Sequence, residues 1–322
     1  MVAGEGVLNI RLWLPGTVAA ALLAAFPLDA REPDEQGPLY AGPASGSEGW
    51  DQPRTVVARD GSVSIYNTAQ PRFELYLPDA AKASAAAVLM LPGGGLRVLG
   101  VGEETDAEIA AFLDHGVAVM LLEYRTRQLT PEELGLAIQP PARRADGPAP
   151  PAARFAKFEI RQGNANPAPG DRKLAQVLQL ATDDARHALA MMHRRAVEWG
   201  LDTGRIGVIG TSAGGGVAFG TVFAEGPAEE KPDFLISIFG PSLQDAVVPD
   251  PAPPLFLVTE ADHGPVTDGL MALFPIWKDA GQQVELHVFE VPTFSMTVRL
   301  WGSRLFDWMI ERGILRSVGP VP

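Results

Sequence analysis

Apolar runs of strand length alternate along this chain with stretches of helical spacing, and that alternation restricts the fold more than any other feature. The clearest run is VAVMLLEYR (residues 117–125), in which six apolar residues follow one another without a break. A half-exposed strand would alternate apolar with polar; an unbroken run belongs to a strand buried on both faces, as in parallel sheets covered by helices. FELYLP (73–78), AAAVLMLP (85–92), RIGVIG (205–210), DFLISIFG (233–240), PLFLVTE (254–260) and VELHVFE (284–290) read as further strands. Between them, AEIAAFLDHG (107–116) carries Ile109, Phe112 and Leu113 at helical spacing. A long helix is expected from about 173 to 199, another from Ala213, and two more near 266–280 and 299–311. Strands alternating with helices predict an α/β class fold, a doubly wound and mainly parallel sheet.

The 322 residues, 46% hydrophobic and 20% charged, suit one large core of this kind. A net charge of -13 argues against nucleic acid or an anionic membrane surface as a partner. With no cysteine, disulfides and thiolate metal sites are excluded, and neither a metal nor a cofactor is expected. Near the start, LWLPGTVAAALLAAF (12–26) follows Arg11 and is too short for a membrane span, which needs about 20 residues. It suits the apolar region of a secretory signal, so that residues 1–30 read as a signal peptide cleaved near Ala25 or Ala30. That places the protein outside the cell or in the periplasm; the rival reading, an apolar helix docked on the body, leaves it in the cytoplasm.

Residues 31–60, rich in Gly, Pro and Ser, read as an irregular lead-in to a domain over 61–318. One segment breaks that domain's rhythm. Residues 126–172 contain QPPARRADGPAPPAARFAKF and NANPAPGD, whose prolines exclude regular helix or strand over much of the length. The insertion leaves the sheet after the strand ending at Arg125, at the edge where ligands bind in open α/β sheets. It reads as a partial lid or substrate wall, with a plain surface insertion as the alternative.

The chemistry centres on RIGVIGTSAGGG (205–216). Gly210, Ser212 and Gly214 form G-x-S-x-G between a strand and a helix, a turn too sharp for a Cβ at either glycine. Such a turn lifts the Ser212 hydroxyl clear of the sheet, sets it at a helix N-terminus, and aims the Ala213 N–H at a developing oxyanion. LPGGGLR (91–97) follows an earlier strand, and Gly93 or Gly94 is suited to give the second oxyanion donor; it lacks the spacing and lysine of a phosphate-binding loop. PPLFLVTEADHGPV (253–266) puts Asp262 just beyond a strand, with Glu260 as the competing carboxylate, and Asp262 is preferred for its place after the strand.

These motifs, with AVEWGLDTGRIGVIGTSAGG (196–215), PPLFLVTEAD, VELHVFE and LFDWMIERGIL (305–315), resemble the α/β-hydrolase superfamily. More narrowly the chain is similar to its acetyl-esterase and xylan-esterase-like branch, serine esterases of small and carbohydrate-linked esters. GSEGW (46–50) and RFELYLPDAAKA (72–83) resemble that branch's N-terminal strands, and the likeness runs from about 38 to 315 with the proline-rich segment outside it. The resemblance implies a small-molecule ester as substrate. It also implies a catalytic His in the turn after VELHVFE, where this sequence reads V-P-T-F-S-M (291–296). Phe294 and Met296 match the family, so the His position falls on Pro292 or Thr293, neither of which shuttles a proton near neutral pH. Of the other histidines, His115 suits a helix C-terminus, His187 and His193 point to different faces of one helix, and His287 sits within a strand. His263, beside Asp262, is the remaining candidate base. Three readings follow: a carboxylic-ester hydrolase with weak or unorthodox catalysis, a non-catalytic relative binding a ligand in the old pocket, and non-hydrolytic chemistry in the same pocket.

Overall fold

A computed structural model describes residues 31–139, 170–241, 246–291 and 297–316. The signal-peptide reading, most of the proline-rich insertion, and Pro292 and Thr293 lie outside the described residues. In chain order the elements are β1 (Glu35–Pro38), β2 (Thr55–Arg59), β3 (Ser62–Tyr66), β4 (Arg72–Tyr76), β5 (Ala87–Leu91), β6 (Val98–Gly102), α1 (Glu103–Asp114), β7 (Ala118–Glu123), α2 (Pro131–Ala137), α3 (Arg172–Arg194) and α4 (Ala196–Trp199). They continue with β8 (Ile206–Thr211), α5 (Ala213–Phe223), β9 (Leu235–Ile238), β10 (Leu255–Glu260), α6 (Pro265–Asp279), β11 (Val284–Phe289) and α7 (Val298–Glu311).

Eight strands make one sheet in the order β1-β4-β7-β5-β8-β9-β10-β11. Every pairing from β7 to β11 is parallel, and β4 and β1 add an antiparallel edge. This is the doubly wound, mainly parallel sheet that the apolar runs predict. Side chains of each strand alternate between two cores. On one face Leu89, Leu91, Val208 and Leu257 pack with Ala185 of α3, Val217 of α5 and Trp277 of α6. On the other, Val88, Met90, Ile209 and Phe256 pack with Phe112 of α1 and Trp301 and Trp308 of α7.

The structure departs from the sequence reading in three places. The long helix stops at Arg194; Arg195 leaves helical geometry (φ -102°, ψ 10°) and bonds to Glu35 and Glu198 while its guanidinium lies 4.2 Å over Trp199. The lead-in, irregular over most of its length, carries β1 and β2, and β2 joins β3 and β6 in a separate antiparallel sheet. The start of the insertion holds α2, set by Pro131 in its first turn and by a reciprocal cap between Thr130 and Glu133.

A buried ion pair ties the lead-in to the body. Asp184 of α3 accepts from the Arg125 backbone N–H, Nε and Nη2, and from the Tyr40 hydroxyl at 2.8 Å. Arg125 also donates to the carbonyls of Ser45 and Leu180. Both partners are essentially closed to solvent, at 2% and 0% exposure.

Because the central strands are parallel, their C-terminal ends share one edge. Gly93 follows β5, Tyr124 follows β7, Ser212 follows β8, Phe239 follows β9, and Glu260 to His263 close β10. The candidate site is built from that edge.

Candidate active site

Ser212 sits between β8 and α5 with φ 53° and ψ -119°. A positive φ at a non-glycine residue is strained, by about 1–3 kcal/mol, and persists only where the surroundings over-determine it. Here they do. The Ser212 N–H donates to Ile238 O at 2.9 Å, and its carbonyl accepts from Gly215 N–H at 2.9 Å. A Cβ on Gly210 would lie 2.7 Å from Gly215 Cα, and one on Gly214 would lie 2.7 Å from Pro92 O. No side chain fits at either position, so the two outer glycines of the motif are what let the turn close. Ser212 itself is half-buried, and Ala213 opens α5, where a backbone N–H has no intrahelical partner.

The loop after β5 runs alongside. A Cβ on Gly93 would stand 3.1 Å from Ser212 Cβ, so the two residues are immediate neighbours. Gly94 has φ 135°, a conformation open to glycine and strained for other residues. Among the bonds that hold this loop are Tyr124 hydroxyl to Pro92 O at 2.5 Å, Gly100 N–H to Gly93 O at 2.9 Å, and Val98 N–H to Gly94 O at 3.2 Å. In a trans peptide the N–H points opposite to the C=O. Fixing the Pro92 and Gly93 carbonyls therefore fixes the directions of the Gly93 and Gly94 N–H groups. Burial pushes the Tyr124 hydroxyl pKa up, which keeps it a proton donor. The sequence reading missed Tyr124; it stands near the end of the VAVMLLEYR run, and nothing in the run says that its hydroxyl finds a carbonyl.

At the end of β10 the structure separates two neighbouring carboxylates. Asp262 is exposed, whereas Glu260, the last residue of the strand, is 1% exposed. Glu260 Oε2 lies 3.8 Å from His263 Nδ1. Thr267 pins the loop between them: its hydroxyl donates to Glu260 O at 2.6 Å and accepts from the His263 N–H at 3.1 Å. The His263 ring stands 5.6 Å from the ring of Phe239. Burial pulls the His263 pKa below the ordinary imidazole value, and the Glu260 carboxylate opposes that pull.

The other four histidines lie elsewhere. His115 stacks on Phe306 at 3.6 Å and bonds Ala111 O, and His187 packs on Tyr40 at 4.5 Å. His193 lies near the end of α3, and His287 lies within β11, 2.7 Å from Glu285. Among the described residues no cluster of His, Asp and Glu is placed to hold a metal ion, and no helix is long and apolar enough to cross a membrane.

Neither the protein-family models nor the curated proteins yield a match to this chain. Solved structures do. An acetyl ester-xyloside bifunctional hydrolase from Caldicellulosiruptor lactoaceticus superposes with a TM-score of 0.54 at 17% identity, over 88% of this chain and 98% of that one. The esterase Est2 from Thermogutta terrifontis gives 0.54 at 16% identity, over 83% and 95%. MGS-M1, an α/β hydrolase from a Medee basin deep-sea metagenome library, gives 0.50 at 16% identity, over 80% and 97%. At this identity the likeness concerns fold: the chain has an α/β-hydrolase fold.

Proposed function

We propose that this protein is a serine carboxylic-ester hydrolase acting on small or carbohydrate-linked esters through Ser212. The observation that carries the reading is the strained Ser212 backbone, held at a strand-to-helix turn with the Gly93 loop against it. In this reading Ser212 Oγ attacks the ester carbonyl carbon, and the carbonyl oxygen becomes an oxyanion. The N–H of Ala213 and that of Gly93 or Gly94 receive its charge. Backbone donors of this kind act without reorganisation and are worth about 2.7–4 kcal/mol each in the transition state. An acetate-sized acyl group agrees with the acetyl ester-xyloside hydrolase among the structural neighbours.

The test is hydrolysis of p-nitrophenyl acetate together with covalent labelling by a fluorophosphonate. The expected result is turnover by the wild-type chain, labelling at Ser212, and loss of both in Ser212→Ala. A second reading, ligand binding without turnover, is favoured by one observation, the Pro292 and Thr293 that stand where the family carries its His. Wild-type protein that neither hydrolyses the ester nor takes the label would decide for that second reading.

A further inference from the structure

We propose that His263, oriented by the buried Glu260, is the general base that activates Ser212, taking over from the last-turn histidine that this chain lacks. The proposal rests on the ester-hydrolase reading of Ser212 and adds the group which that reading leaves open.

Topology supplies the first argument. The chain has five histidines, and all lie among the described residues. His115 precedes β7, His193 closes α3 ahead of β8, and both therefore belong to the sheet edge opposite Ser212. His187 is packed on Tyr40 and His287 lies inside β11 beside Glu285. Only His263 follows the C-terminal end of a parallel strand, as Ser212 does. The strands β8 and β10 are separated by β9 alone, two strand spacings or about 10 Å.

Contact supplies the second. The segment after β9 touches both residues: the Phe239 ring faces His263 at 5.6 Å, and a Cβ on Gly240 would lie 2.8 Å from Ser212 Cα. Ser212 and His263 thus border one wall. The third argument is orientation. Nδ1 is the ring nitrogen beside Glu260, at 3.8 Å, and Nε2 lies on the other side of the ring. The 3.8 Å separation is ion-pair distance and longer than a hydrogen bond; catalytic contacts of this type commonly tighten when substrate binds. Thr267 fixes the backbone on both sides of the loop, and Glu260 acts through His263 as a positioning residue.

The proton accounting closes. As the bond from Ser212 Oγ to the carbonyl carbon forms, the hydroxyl proton passes to His263 Nε2 and the carbonyl π pair moves to the oxygen. Collapse of the tetrahedral intermediate breaks the carbon–alkoxy bond, and His263 returns the proton to the departing alcohol. Water repeats the two steps on the acyl group, releasing the carboxylic acid and restoring Ser212. Glu260 faces the imidazolium each time it forms and favours it. Burial holds the resting ring neutral near pH 7, so that it accepts a proton; Glu260 is the one charged group among the described residues whose field bears on it.

The experiment measures the rate of Ser212 labelling by a fluorophosphonate as a function of pH, a single-turnover readout independent of deacylation. Wild-type protein should show one inflection, at or below the ordinary imidazole range. His263→Gln should label at least about 100-fold more slowly, the lower bound of general-base catalysis, with the inflection gone. Glu260→Gln should slow labelling and move the inflection to lower pH, because the carboxylate that favours the imidazolium is removed; a merely structural role would lower the rate without moving it. Of the two carboxylates, Glu260→Gln should lose more than Asp262→Asn. Circular dichroism establishes that each variant is folded, and the wild-type profile stands by itself should one variant not fold. A flat wild-type profile, or His263→Gln labelling at the wild-type rate, overturns His263 as base while leaving the ester-hydrolase reading intact. No labelling of wild-type Ser212 at any pH overturns both.

Discussion

Tyr124 illustrates how much one side chain fixes at this edge. Its hydroxyl is the partner of the buried Pro92 carbonyl, and that bond sets the peptide that presents Gly93 to Ser212. In Tyr124→Phe the carbonyl loses its partner in a site closed to water, which costs about 1–3 kcal/mol of stability. The loop is also freed to turn its N–H groups away from the oxyanion position, so kcat should fall with KM less affected. Thermal unfolding and steady-state kinetics on an aryl ester check both halves; an unchanged kcat in a destabilised variant would confine Tyr124 to a structural role. The residue scale is also where sequence reading reached its limit. G-x-S-x-G announces Ser212 and its glycines because only certain residues fit the turn. The choice between Glu260 and Asp262 has no such signature. Strand alternation stops at the strand's end, so spacing gives no rule for which carboxylate turns inward, and Glu260 does.

Among the elements, α1 carries the clearest titration. Glu108 is on its buried face, and burial, with a smaller contribution from Glu104, pushes its pKa up to about 8. The unfolded chain releases this proton near the ordinary carboxylate value of about 4.3, whereas the folded chain keeps it until about pH 8. A raised pKa means stability fully present below the unfolded value and lost as pH rises through that window, levelling off above the folded pKa. The fold should therefore weaken by a few kcal/mol, in order of magnitude, between about pH 4.5 and 8 through this group. Glu108→Gln, neutral throughout, should remove that component, leaving the variant more stable than wild type at pH 8. Denaturant unfolding at the two pH values measures it, and equal pH dependence in both proteins would show that Glu108 is solvated. The elements that the sequence disclosed best are those with one dominant cause. β5, β7, β8 and β10 are buried on both faces and read as unbroken apolar runs. β2, β3 and β6 are short, partly exposed strands; β3 pairs with β6 across as many as 40 residues, Ser62 opposite Gly102, and no local pattern marks that pairing. The stop at Arg194 is equally non-local, since Glu35 supplies part of it.

At the scale of the whole molecule, the sheet is the only thing its two cores share. α3, α5 and α6 cover one face and α1 and α7 the other, but each inner strand contributes alternate side chains to both, as Leu89 and Met90 do. Stripping one layer would expose β5, β8, β9 and β10, mostly apolar and buried along nearly their whole length, to water. Losing either core should therefore unfold the other. The Arg125–Asp184 pair offers a way to perturb one side alone, because α3, β7 and the lead-in meet there. Asp184→Ala leaves the Arg125 guanidinium uncompensated in a site with 2% exposure, a change that costs about 3–5 kcal/mol. Tryptophans on opposite faces report separately: Trp277 lies in the core that borders Asp184's helix, and Trp308 lies in the other. In variants whose single remaining tryptophan is Trp277 or Trp308, the other five replaced by Phe, Asp184→Ala should lower the unfolding midpoint equally for both probes and for circular dichroism. If the Trp277 transition moved while that of Trp308 stayed in place, the two faces would be separate cooperative units, and the shared sheet would not couple them.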